Sequence, residues 1–82
     1  MAETCLQACK FLATNIIDNP DMEKVRKLNL HNKHVDINVS RIDGGMLILE
    51  GMGFERNADQ MVMEHVDISF LIKVRETLSL EL

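Results

Sequence analysis

Pro20 is the only proline in the chain, and its position dictates how the first third can fold. Proline lacks a backbone donor and disfavours helix in the residue before it, so no continuous helix crosses Asn19-Pro20. Ahead of that break, Thr4 followed three residues later by Gln7 is a capping box. Cys5, Cys9, Leu12 and Ile16 then recur at helical spacing, widened by Leu6, Ala13 and Ile17. This predicts a helix from about Thr4 to Asp18. Proline is also well placed as the first residue of a new helix. Asn19 is a fitting N-cap, and Asp21 and Glu23 put negative charge in the first turn, where the helix dipole favours it. A short helix from Pro20 to Arg26 is expected.

Beyond it, Leu28 and Leu30 flank Asn29 in alternation, which predicts a short strand over Lys27 to His31. Asn32 can cap another short helix with Val35 and Val39 facing inward. Asp43-Gly44-Gly45 is a turn and cap. Met46, Leu47, Leu49 and Met52 continue as a helix that stops at Gly53. Met61-Val62-Met63 is a compact apolar run that reads as a buried strand, although Ala58, Met61, Val62 and His65 also fit helical spacing. Asp67 caps a last helix with Phe70, Leu71, Val74 and Leu78 on one face. No repeat, low-complexity tract or linker divides the chain, so one domain over residues 1–82 is expected, and it reads as a piece of a larger protein.

With 82 residues and three Phe but no Trp or Tyr, the core is thin and must be filled by Leu, Ile, Val and Met. The six Met fall at helical and strand spacings that suit core filling better than an adaptable groove. A net charge of −4 argues against nucleic acid, whose phosphates need a basic field, and no aromatic platform exists for stacking bases. The basic groups Lys24, Arg26, Lys27 and Lys33 can still meet a short acidic peptide. No apolar run spans a membrane. Cys5 and Cys9, four apart, share a helix face and read as reduced core thiols, which points to a cytoplasmic or nuclear compartment. They do not form a zinc set with the three histidines, because no second Cys or His pair falls in register. His31, His34 and Asp36 form only a weak metal cluster, and neither metal nor cofactor is expected. Glu50 and Glu55 read as solvated faces. Gly44-Gly45 lacks the longer pattern of a phosphate loop.

The segment Asn19 to Asn32, NPDMEKVRKLNLHN, carries cap, ion-pair and apolar chemistry at fixed intervals. It resembles the PUB (PUG) domain of peptide N-glycanases, UBX-containing adaptors and a ubiquitin ligase, whose members carry a stretch close to Asn-Pro-x-x-Glu-Lys-Tyr-Arg-x-Ile/Leu-x-x-x-Asn. The family's second mark, a glycine followed by a helix ending in Gly-Phe/Tyr, is matched by Gly45 and Gly53-Phe54. The likeness runs from about Glu3 to Leu78.

The resemblance implies an α/β (α+β) fold, a helical body with a small antiparallel sheet. It implies a non-catalytic interaction module, monomeric in isolation. Its partner would be the acidic, tyrosine-bearing C-terminal tail of the valosin-containing AAA ATPase, which links it to ubiquitin-dependent degradation. By position the family's peptide site carries over to Asn15, Lys24, Val25, Asn29, Asn32, Gly53 and Phe54. Lys24 would pair with an acidic residue, Asn32 would offer both donor and acceptor, and Phe54 would wall a slot for the tail's ring. Two positions depart from the pattern: Val25 stands where the family has Tyr, and Asn29 where some members are basic. The competing function is a UBA-like ubiquitin-binding domain using the Met52-Gly53-Phe54 loop, which requires a helix through Met61–Met63. A thiol hydrolase built on Cys5 or Cys9 is a third class and requires an accessible thiol.

Overall fold

The computed structural model describes residues 3–42 and 44–81. Helix α1 spans Glu3–Asp18 and buries Cys5, Leu6, Cys9, Ala13 and Ile16, the stripe expected from their spacing. Its end differs from expectation. Asn19 does not cap a following helix; its backbone N–H and its Nδ2 both donate back to the Asn15 carbonyl, at 3.0 and 3.3 Å. Pro20 and Asp21 therefore form a turn. The next helical piece is a single 3₁₀ turn, Glu23–Arg26, entered from Met22 without a side-chain cap. The Asn19 side chain is turned back onto α1, away from the 3₁₀ turn.

Strand β1, Lys27–Asn29, is shorter than expected. It stops because the Asn29 side-chain oxygen accepts from the His31 N–H at 2.9 Å, bending the chain into a turn. Asn32 caps as expected, its side chain accepting from His34 N and Val35 N. The helix it opens, α2 (Lys33–Val35), widens at once into a π-helical turn over Asp36–Ser40. Val39 is buried in the core, whereas Val35 is only half-buried. Helix α3, Gly45–Met52, is bracketed by two left-handed glycines, Gly44 (φ 85°) and Gly53 (φ 112°). Both are positions where a β-carbon would be strained.

Gly53 turns the chain into β2 (Glu55–Asn57), which a two-residue loop joins to β3 (Gln60–Val62). No apolar alternation announces β2, since all three of its residues are exposed. The sheet is antiparallel with order β1-β3-β2. Leu28 and Arg56 flank the buried Met61 in one row, and Lys27 and Glu55 flank Val62 in another. The strand at Met61 removes the UBA-like reading, which needs a helix there.

Helix α4, Ile68–Glu81, begins where the Asp67 side chain accepts from Phe70 N at 3.0 Å. It packs mainly on α1. Leu71 and Leu78 are buried, but Phe70, expected on the same face, is 43% exposed. One residue before Leu71 is a rotation of about 100°, enough to carry Phe70 off the core. Among the described residues the fold is α+β, a four-helix body with a three-stranded antiparallel sheet.

Candidate peptide-binding site

The register places two groups of the expected site residues at opposite ends of the sheet. Lys27 and Glu55 lie level across the sheet, so the 3₁₀ turn with Lys24 and Val25 enters at the same end as Gly53 and Phe54. Asn29 lies level with Asn57 and Gln60 at the other end. There the Ala58-Asp59 loop meets it: Leu30 N donates to the Asp59 carbonyl at 2.8 Å, and His31 Nε2 approaches Asp59 Oδ1 at 3.3 Å. Three residues of strand separate the ends, about 7–10 Å, a span that a short extended peptide can bridge.

Lys24, Asn29 and Asn32 are exposed, and Lys24 forms no ion pair among the described residues. Neighbouring Glu23 is instead taken by Lys27, four residues on; that hydrogen bond, and then the lysine's charge, hold the Glu23 carboxyl below its usual range. The two asparagines are restricted by their own turns. The Oδ1 of Asn29 is committed to His31 N, and the Oδ1 of Asn32 to His34 N at 3.0 Å and Val35 N at 3.4 Å. Each keeps its Nδ2 as the group for a partner. In the free fold the Asn32 oxygen already accepts two backbone N–H groups, which leaves Nδ2 as its unengaged polar group.

Val25 is half-buried against the core. Gly53 is exposed, and a β-carbon there would meet only Met63 Cε, at 3.7 Å. Phe54 corrects the expectation: it is 2% exposed and sits among the core residues, its N–H bonded to the Leu49 carbonyl at 3.0 Å. A ring so buried cannot wall a slot at the surface.

The apolar surface lies elsewhere. A groove of about 430 Å³ runs between α1 and α2, with Ala8, Leu12, Val35 and Val39 as its floor. Phe11, 65% exposed, stands on its wall. Thr4, Ala8, Phe11 and Asn15 follow one another at intervals of four, three and four residues, so they form one stripe of α1. Asn15 is the end of that stripe. The signal was present in the sequence: Phe11 is a large apolar residue out of phase with the Cys5–Cys9–Leu12–Ile16 stripe.

Neither cysteine is accessible. Both are fully buried, and Cys9 is pushed from its ordinary 9.0 up to about 12, first by burial and then by the adjacent Cys5 thiol. A nucleophile needs the thiolate, so the thiol hydrolase has no attacking group in this pair. Of the weak metal cluster, His31 faces Asp59, and Asp36 is paired with Arg41 at 2.8 Å. No group of three His, Cys, Asp or Glu could hold a metal among the described residues. No described helix is long and apolar enough to cross a membrane.

These features define an α+β domain with an exposed set of hydrogen-bond donors and a neighbouring apolar groove. A model of the PUB domain family matches residues 1–79 of the 82, and the chain belongs to that family of protein-interaction domains. No curated protein matches the sequence.

Proposed function

We propose that this PUB domain binds the acidic C-terminal tail of the valosin-containing AAA ATPase and so links its parent protein to ubiquitin-dependent degradation. The observation that supports this best is the polarity of the site. Lys24 Nζ, Asn29 Nδ2 and Asn32 Nδ2 are exposed donors, and the Asn32 oxygen already accepts two bonds within the fold. The carboxylates of an acidic tail are acceptors, and charge-assisted hydrogen bonds are the stronger kind. Such a surface suits a tail better than a neutral partner. Gly53 gives the peptide backbone close access beside the 3₁₀ turn. Phe54 lies inside and so does not wall a slot for the tail's aromatic ring. The domain acts as a monomer, in the cytoplasm or nucleus, and binds with micromolar affinity, as small interfaces commonly do.

Titration of the isotope-labelled domain with a tail peptide tests this. Amide shifts concentrated at Lys24, Asn29, Asn32 and Gly53 are expected. No shift at millimolar peptide would exclude the partner. The Val25→Tyr variant restores the family's ring at the 3₁₀ turn and is expected to bind about three- to tenfold more tightly, the worth of one well-placed aromatic contact. Equal or weaker binding removes Val25 as a determinant of affinity.

A further inference from the structure

We infer that the α1–α2 groove is a second subsite, which takes the residues lying upstream of the tail's anchored end. This rests on the tail-binding reading above. Asn15 belongs to the same α1 stripe as Phe11, Ala8 and Thr4. Asn32 caps the helix whose His34 and Val35 line the groove opposite α1. A peptide that contacts Asn15, one turn beyond Phe11, and Asn32, two residues before His34, would lie at one end of the groove. A C-terminal tail has almost no chain beyond its anchored end, so only its upstream part can enter.

The dimensions set the spacing. Phe11 precedes Asn15 by about 6 Å along the helix axis, which is about two residues of extended chain. Alternate residues of an extended peptide face the same way. An apolar side chain two positions upstream of the anchored residue thus falls against Phe11, over Ala8, Leu12 and Val35. Thr4 lies about 16 Å from Asn15, so the groove accommodates about five residues.

The rim suits an acidic segment. Lys33 and His34 are exposed beside the groove, and Lys33 has no ion-pair partner among the described residues. Asp36, which follows Val35 on that side, is held by Arg41 through Nε at 2.9 Å and Nη2 at 2.8 Å. Gln7 and Asn38 line the groove without charge. Exposed Glu3, one residue beyond Thr4, limits how far an acidic chain gains by continuing.

The test compares two labelled peptides, the last ten and the last four residues of the tail, by fluorescence anisotropy against the 82-residue chain. Phe11 is exposed, so Phe11→Ser leaves the core intact. The ten-residue peptide is expected to bind wild type more tightly than the four-residue one. Phe11→Ser should weaken the longer peptide by about fivefold, the loss of one apolar contact, and leave the shorter unchanged. Amides of Ala8, Phe11, Val35 and Asn38 should shift only with the longer peptide. Equal affinity of the two peptides for wild type, or a Phe11→Ser effect that is absent or equal for both, overturns the groove as an upstream subsite while Asn32→Asp still weakens both. If neither peptide binds, or Asn32→Asp is silent with both, the tail-binding reading falls and the subsite with it.

Discussion

Gly45 approaches Val39 so closely that a β-carbon would lie 2.1 Å from the Val39 carbonyl oxygen. The obstacle is backbone, which cannot swing aside. Gly45→Ala is therefore expected to cost about 3 kcal/mol or more, read as a lower midpoint in urea, whereas Gly51→Ala, with open space around it, should be silent or mildly stabilising. Ala58 presents the opposite case. It holds φ at 56° as the first residue of the β2–β3 loop, where the left-handed region strains an alanine. Ala58→Gly should raise stability by about 0.5–1 kcal/mol in the same urea experiment, without changing tail binding. At Cys9 the consequence is a pH dependence. Its folded pKa lies above the ordinary value, so the fold holds the proton more tightly than the unfolded chain does. The resulting stabilisation is complete below about pH 9 and is lost as pH rises toward about 12. Replacing Cys9 with Ala should flatten the part of the alkaline unfolding curve that the thiol causes. Identical alkaline curves for the two forms would show that the thiol does not contribute.

Asn32 serves both the α2 cap and the candidate site, and two substitutions separate these roles. Asn32→Ala removes the cap and should cost about 1 kcal/mol as well as weakening the tail. Asn32→Asp keeps an oxygen that can cap, so thermal stability should be near wild type, but it replaces the outward donor with a carboxylate that repels an acidic tail. Loss of stability in the Asp form would mean that the Nδ2 group also supports the fold. The elements themselves were legible wherever periodicity or a cap stood alone. This was so for α1, for the Asn32 and Asp67 caps, and for the Gly53 stop. It was also true of β3, where a compact apolar run overrode the competing helical spacing. It failed where one residue had two possible partners: Asn19 turned back to Asn15 instead of forward. It failed again for β2, because Glu55-Arg56-Asn57 bury nothing and take their conformation from β3. Of the candidate site, the exposure of Lys24, Asn29 and Asn32 agrees with their residue type, and their part in binding is what the peptide titration tests. Their polarity could not be read from residue type, since it depends on which asparagine oxygen each turn consumes. The exposure of Phe54 was misread for the same reason: a residue directly after a helix stop can face either way, and only packing against the core decides.

Across the molecule, the α1–α4 contact carries the helical body, and Leu71 is its most completely buried α4 side chain. Leu71→Ala should cost about 2–5 kcal/mol against a total that is about 5–15 kcal/mol for domains of ordinary stability. A chemical denaturation curve shifted to markedly lower midpoint, with tail affinity unchanged for the molecules that remain folded, is the expected pair of results. Unchanged stability would mean that α4 contributes little to the fold. The strand that buries nothing has an effect at this scale too. β2 forms one edge of the sheet, and its three residues are exposed. A flat apolar strand in that position would recruit another chain edge to edge. Three residues are too short to template a ladder, and Glu55 and Arg56 set charge on the rim. The least strand-like stretch of the sequence thus acts as a terminator, keeping a sheet of three from growing into a polymer at the concentrations where its partner is met.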